Sequence, residues 1–255
     1  MNILDQFRLT GKIALVTGAS KGIGAAMAAA FAQAGAKVVV CSRKQEAVDE
    51  VAQALTAQGL EAIGIAANVG RGTDILMLTE RVLQRYGRID ILVNNAAVNP
   101  VFGPLAQTDA AAFDKIMDVN LKGPFELAKA VYPHMAKNGG GSIINISSVE
   151  GLSPEKFMGI YSVSKAALIM LTKVMAKEWA ADKVRVNAIC PGLIQTKFSE
   201  ALWNNQDILN MVLSRVPLAR MGQSEEMAGL ALFLASDAGS YCTGGVYTAD
   251  GGYTV

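Results

Sequence analysis

Thr17-Gly18-Ala19-Ser20-Lys21-Gly22-Ile23-Gly24 follows directly on the apolar run Ile13–Thr17 and opens an alanine-rich helical stretch, about Gly22–Ala34. A strand, a glycine turn and a helix in that order form the first half of a βαβ unit. Glycines let the backbone turn tightly and approach a pyrophosphate, whose charge is favoured at a helix N-terminus. The spacing is G-x3-G-x-G rather than G-x-G-x-x-G. Taken alone, the octet is also compatible with an ordinary glycine turn; the residues C-terminal to it decide.

Short β-rich apolar runs alternate with longer helical stretches from here to the C-terminus. Ile13–Thr17, Lys37–Cys41, Glu61–Ala66, Ile91–Asn94, Ser142–Ser147, Val184–Ile189 and Val246–Ala249 read as strands. Several are apolar at successive residues, as expected of strands covered on both faces of a parallel sheet. Helices are expected over about Gly22–Ala34, Gln45–Gln58, Thr73–Tyr86, Asp109–Ala136, Tyr161–Ala180 and Ser224–Ala235. This alternation implies a Rossmann-type α/β fold, a doubly wound parallel sheet of about seven strands with helices on both faces. No repeat or composition break divides residues 1–255, so a single domain is expected. Thr196–Pro217 departs from the alternation. Its Phe198, Leu202, Trp203 and Met211, set among polar residues, suggest one or two short helices outside the sheet, lying over it as a lid.

Bulk composition narrows the function classes. Hydrophobic residues are 51% and charged residues 18% of the 255, too apolar for disorder and ample for a core. The net charge of +1, without a basic block, points away from nucleic acid. No apolar run reaches the length of a membrane span, and Met1–Thr10 lacks a signal pattern. Cys41, Cys190 and Cys242 are odd in number and widely spaced, which fits a reduced, cytoplasmic setting. His134 is the only histidine and there is no C-x-x-C, so no metal site is expected. A role for His134 beyond a helix end is not expected either.

The chemistry concentrates around Tyr161-Ser-Val-Ser-Lys165, with Ser148 thirteen residues upstream of the tyrosine. Residues at i and i+4 share a helix face, so phenol and ammonium project side by side. A neighbouring positive charge favours the phenolate, which makes the pair a candidate acid/base. The second strand ends in Ser42-Arg43-Lys44-Gln45, with no acid before Glu46. NAD enzymes place Asp or Glu there for the ribose 2′-hydroxyl. Arg43 instead suits a 2′-phosphate, with Lys21 as a second charge, although a solvated cluster at a helix start reads the same way. Asn94-Asn95-Ala96-Ala97 and Pro191-Gly192-Leu-Ile194-Gln-Thr196 leave the fourth and sixth strands at their carboxyl ends, where doubly wound sheets bind ligands.

Together, the glycine turn at Gly18/Gly22/Gly24, Asn94-Asn95-Ala96, Asn120, Ser148, Tyr161 with Lys165, and Pro191-Gly192 resemble the short-chain dehydrogenase/reductase family over nearly the whole chain. That resemblance implies a catalytic tetrad of Asn120, Ser148, Tyr161 and Lys165. Tyr161 would exchange a proton with a carbonyl or alcohol oxygen, and Ser148 would hydrogen-bond that oxygen. Lys165 would tune the tyrosine and hold the nicotinamide ribose; Asn120 would support a water in a proton relay. The implied dinucleotide contacts are Gly18, Ser20, Lys21, Gly22, Ile23, Gly24, Ser42, Arg43, Asn68, Val69, Asn95, Ala96, Ala97, Tyr161, Lys165, Pro191, Gly192, Ile194 and Thr196. Candidate substrate contacts are Ser148, Glu150, Phe157, Tyr161, Phe198, Leu202 and Trp203, with Phe102 as a further wall.

Asn99-Pro100-Val101-Phe102-Gly103 and the Ser42–Gln45 run are similar to NADPH-dependent carbonyl and retinal reductases known from peroxisomes, although this chain ends Tyr253-Thr254-Val255, without an S-K-L-type address. The resemblance implies an NADP(H)-dependent carbonyl reductase assembled as a homotetramer, with a small carbonyl or alcohol as its partner. Two alternatives are a 3-oxoacyl-thioester reductase and a non-catalytic NADP-binding sensor. Three positions depart from the family pattern: Ala97 in place of glycine, Asn68 in place of aspartate, and Glu150 where small apolar residues are frequent.

Overall fold

The computed structural model describes residues 2–255. All seven strands lie in one parallel sheet of order β3-β2-β1-β4-β5-β6-β7. They are β1 (Ile13–Thr17), β2 (Lys37–Ser42), β3 (Ala62–Ala66), β4 (Ile91–Asn94), β5 (Gly141–Ile146), β6 (Val184–Pro191) and β7 (Val246–Ala249). The order reverses between β1 and β4, which opens a crevice at their carboxyl ends.

Side-chain alternation divides the core between the two faces of the sheet. Ala14 and Val16 of β1 face one layer, where α1 (Gly22–Gln33), α2 (Gln45–Thr56) and α9 (Ser224–Ala235) contribute Met27, Phe31, Val48 and Leu234. Ile13 and Leu15 face the other, built from α3 (Gly72–Tyr86), α5 (Gly123–Lys137) and α6 (Gly159–Trp179). A buried polar chain registers α6 on the sheet: Asn94 Nδ2 donates to Asn145 Oδ1 (2.9 Å), and Asn145 Nδ2 to Thr172 Oγ1 (2.8 Å). Burial strengthens such bonds and penalises their loss, so the position of α6 is narrowly specified.

Two expectations need correction. The helix expected over Asp109–Ala136 is three pieces: α4 (Ala110–Met117), a π turn at Asp118–Lys122, and α5. Pro124 is the physical reason: it has no N–H, so the Asn120 carbonyl lacks its α-helical donor. Gly123 N–H reaches back five residues to the Asp118 carbonyl instead. Such widened turns are frequent at functional sites. Second, Gly159–Asp182 is long and apolar enough to cross a membrane, contrary to the expectation that no run is. Half of its most apolar 18 residues are buried inside the protein, so its apolar character serves the core. Thr196–Pro217 folds into two short helices, α7 (Glu200–Trp203) and α8 (Gln206–Leu213).

Candidate active site

The Tyr161–Lys165 spacing places both residues on the buried side of α6, at 6% and 2% exposure. The Lys165 Nζ lies 5.6 Å from the Tyr161 ring centroid and donates to the Ile146 carbonyl at 2.8 Å. Beyond β5 the chain turns over Val149–Gly151 with Ser148 as its cap. Any Cβ on Gly151 would lie 2.7 Å from the Lys165 carbonyl carbon, so glycine lets this turn press onto α6. The two serines diverge there. Ser147 Oγ donates to the Lys165 carbonyl at 2.8 Å, whereas Ser148 Oγ accepts from Glu150 N–H at 3.1 Å and its hydroxyl faces the Tyr161 phenol.

The titration behaviour differs from the expectation of a lowered phenol. Burial dominates and pushes Tyr161 well above its ordinary value; the Ser148 bond opposes this, and the charges of Glu150 and Cys190 add to it. Burial also pushes Lys165 down to about 8, with Cys190 in partial opposition. The dry environment that the pair shares, and not the ammonium neighbour, sets the direction of the Tyr161 shift.

Asn120 is fully buried in the π turn. Its side chain forms a reciprocal pair with the Val98 backbone, accepting from Val98 N–H (2.8 Å) and donating to Val98 C=O (2.9 Å). It also donates to Ser164 Oγ (3.1 Å), which donates to the Tyr161 carbonyl (2.7 Å). Asn120 therefore fastens the loop after β4 to the helix turn that carries Tyr161.

The glycine turn lies against that same loop. Gly18 has φ +62°, and a Cβ on it would fall 2.8 Å from the Ala96 Cα. Asn95 stitches the two segments: its Nδ2 donates to the Thr17 and Gly18 carbonyls (2.9 and 3.0 Å). The amide of Asn95 thus holds the turn in shape, a part not read from the sequence. The first amides of α1 receive no side-chain cap, so these donors suit an anion. Thr196 lies across from Gly22, with its Cγ2 3.2 Å from a Cβ built there. Ser20, Ile23 and Ala97 are half-buried beside the turn, and Val69 is buried. Asn68 Oδ1 accepts from Gly70 N–H at 3.1 Å. Ser42 ends β2, and Arg43 beyond it is exposed, with no ion pair to any described residue. Pro191 ends β6, and Gly192 N–H bonds the Ala249 carbonyl at 3.0 Å. Ile194 is buried in a bridge to Gly222.

One aromatic residue lies against Tyr161, and two more pair with each other on the loops before α4 and α6. The Phe198 ring lies 6.0 Å from the Tyr161 ring, and Phe102 meets Phe157 edge-on at 5.8 Å. All three phenylalanines are about half exposed. Phe157 holds φ +72°, a strained value for a bulky residue. Leu202 and Trp203 sit half-buried on α7, and the Trp203 indole donates to the Thr196 carbonyl at 3.1 Å. Trp203 therefore also staples the start of this segment, which its apolar character did not reveal. Glu150 does not point to solvent; it is half-buried, and its carboxylate accepts from Glu155 N–H in the following loop and from Ser162 Oγ on α6. His134 lies in the last turn of α5, and no group of three or more His, Cys, Asp or Glu able to hold a metal occurs among the described residues.

Comparison with known proteins fits this geometry. A family model described as enoyl-(acyl carrier protein) reductase matches residues 18–254. Dehydrogenase/reductase SDR family member 4 of Oryctolagus cuniculus is 44% identical over 244 residues, 96% of this chain and 94% of that protein. A gluconate 5-dehydrogenase from Burkholderia cenocepacia in complex with NADP and tartrate superposes with a TM-score of 0.95 at 36% identity, covering 98% of each chain. A 7α-hydroxysteroid dehydrogenase complexed with NADH and 7-oxo glycochenodeoxycholic acid gives a TM-score of 0.95 at 34% identity, over 99% of this chain and 98% of that one. From residue 18 to residue 254 the chain thus carries the family's sequence on the family's fold, and it belongs to the short-chain dehydrogenase/reductases, an oxidoreductase family.

Proposed function

We propose that this chain is an NADP(H)-dependent oxidoreductase that interconverts a ketone or aldehyde and its alcohol. Arg43 carries the cofactor assignment. It is an exposed guanidinium without an ion pair among the described residues, one position beyond the end of β2, and the residue before it is the short, uncharged Ser42. A forked cation at this point suits a 2′-phosphate; an acid would suit the free hydroxyl. The fold itself does not choose between the two, since one neighbour was solved with NADP and another with NADH. The uncapped start of α1 fits the pyrophosphate. When bound, the dinucleotide supplies or accepts the hydride.

The protein's own groups do the rest. In the reducing direction Tyr161 hands its phenolic proton to the oxygen left by the reduced carbonyl. Its raised pKa keeps that proton in place at neutral pH. Ser148 donates a hydrogen bond to the same oxygen and stabilises its developing charge. Lys165 orients the ribose side of the site and would refill the proton on Tyr161 through a water held at the Asn120 backbone carbonyl, which Pro124 leaves without a helical donor. Ile194 and Thr196 hold the carboxamide end. Phe102, Phe157, Phe198, Leu202 and Trp203 support a substrate with a sizeable apolar group beside its carbonyl, such as an aromatic ketone or an α-diketone. Three free cysteines, Cys41 and Cys190 among them buried, support a reducing, cytoplasmic setting.

The test is a screen of NADPH and NADH oxidation over ketones, α-diketones, retinal and 3-oxoacyl thioesters. A charged contact contributes roughly 1.5–3 kcal/mol, so kcat/KM should favour NADPH by roughly tenfold to over a hundredfold. Ser42→Asp with Arg43→Ala should reduce that preference. Comparable values for both dinucleotides in the parent protein refute the cofactor assignment. Activity on 3-oxoacyl thioesters far above all free ketones replaces the substrate class.

A further inference from the structure

Glu150 sits two residues beyond Ser148, and its carboxylate turns inward. The Oε2 accepts from Glu155 N–H and from Ser162 Oγ, both at 2.9 Å. Its own N–H donates to Ser148 Oγ at 3.1 Å. One residue therefore touches Ser148 on one side and the immediate neighbour of Tyr161 on the other. The N–H bond occupies one lone pair of the Ser148 oxygen and steers its hydroxyl proton away from the turn.

The tie continues outward. Glu155 Oε1 receives Arg215 Nη2 (2.6 Å) and the Tyr253 hydroxyl (2.7 Å), and the Arg215 guanidinium stacks 4.8 Å from the Tyr253 ring centroid. Four segments meet here: the serine turn, α6, the chain following α8, and the C-terminal residues. Burial raises the Glu150 carboxyl, opposed by the two bonds it accepts. A half-buried carboxylate is a costly choice for a plain loop fastener.

We propose that Glu150 is a positioning residue, setting the spacing and aim of Ser148 and Tyr161 by fastening the serine turn to the tyrosine helix. This rests on the reading of Ser148 and Tyr161 as the pair that handles the substrate oxygen. The carboxylate has a second effect, through charge. Burial raises Tyr161 and the negative charge of Glu150 adds to it; the Cys190 thiol on β6 and Lys165 on the same helix also face the phenol. Glu150 in turn faces Glu155 in its own loop, Arg215 beyond α8 and Tyr253 near the C-terminus.

Glu150→Ala and Glu150→Gln test the proposal, measured in the full-length protein with a substrate found by the screen. Alanine removes both bonds, and kcat should fall about tenfold or more, with dinucleotide Kd within about twofold of the parent. Glutamine offers one oxygen that can accept both, so kcat should recover to within about threefold. Without the negative charge, Tyr161 gives up its proton more readily. The acid limb of the pH profile for alcohol oxidation should therefore move to lower pH in Glu150→Gln. Alanine activity within twofold of the parent, a glutamine variant as impaired as alanine, or an unmoved limb each overturns the proposal. If circular dichroism shows Glu150→Ala unfolded, Ser162→Ala removes one of the two bonds and should lower kcat several-fold; an unchanged kcat overturns the proposal. Tyr161→Phe separates this from the underlying reading. An active Tyr161→Phe breaks the reading itself, whereas an inactive one beside a fully active Glu150→Ala breaks only the positioning role.

Discussion

Lys165→Met should make the protein more stable at neutral pH while destroying its activity. The ammonium, ordinarily near 10.5, is pushed down to about 8 by burial. Each pH unit of that displacement corresponds to about 1.4 kcal/mol, so holding Lys165 charged at pH 7 costs the fold about 3 kcal/mol. Methionine fills similar volume without charge. It leaves the Ile146 carbonyl without the 2.8 Å bond from Nζ, an offset of about 1 kcal/mol. The variant should gain about 2 kcal/mol at pH 7.

The sign of the pH dependence is distinctive. Between about 8 and 10.5 the unfolded lysine keeps its proton and the folded one has lost it, so parent stability from this group rises with pH. The advantage of the variant should shrink across that window and reverse to about −1 kcal/mol once the lysine is neutral in both states. Tyr161 stays protonated there, and Cys41, pushed up to about 12, does so too. Their effects cancel between parent and variant. Urea unfolding without dinucleotide, at fixed protein concentration from pH 7 to 10.5, measures the difference directly. A variant less stable than the parent at pH 7, or a difference that stays flat with pH, refutes the picture of a lysine held charged against its surroundings.

Tyr161→Phe keeps the ring and loses the proton, so turnover should nearly vanish while dinucleotide binding persists by fluorescence titration; retention of as much as about a tenth of the rate contradicts the assignment. Trp203→Ala removes an aromatic wall and the staple to the Thr196 carbonyl, and should reorder substrate preferences without changing the oligomer. Uniform loss of all activities together with a smaller assembly would move Trp203 to an interface. Phe113, Phe125, Val163, Met170 and Val174 are exposed on α4, α5 and α6, and such apolar faces call for a partner. We expect light scattering at micromolar protein to give a homotetramer, and a monomeric mass to refute it.

The strands were legible because each is a run of apolar residues bounded by turn residues, and every expected strand overlaps an observed one closely. The broken helix was less so. Gly123-Pro124 stands in the middle of the expected Asp109–Ala136 stretch as a signal against continuity, but apolar periodicity on both sides hides it. Spacing along α6 correctly puts Tyr161 and Lys165 on one face. It carries no information on how dry that face is, because the cover comes from β5, β6 and the serine turn. Glu150 shows the same limit. Its partners, Glu155 N–H and Ser162 Oγ, are set by how the serine turn folds onto α6, and no local pattern encodes that.

The π turn at Asp118–Lys122 also constrains how this chain can change length. A residue in an α-helix advances the chain by about 100° of rotation. The widened turn takes in one residue more than an α turn, so a deletion that let it relax to α geometry would leave α5 near its present phase against α4. Leu127, Ala128 and Val131 would stay in the core, but Asn120 would lose the widened turn from which it holds Val98. Exposed Lys122 can be exchanged for almost any residue, and its removal would cost that anchor rather than the packing of α5. Homologous chains that keep the anchor should therefore vary in composition across the segment and keep its length.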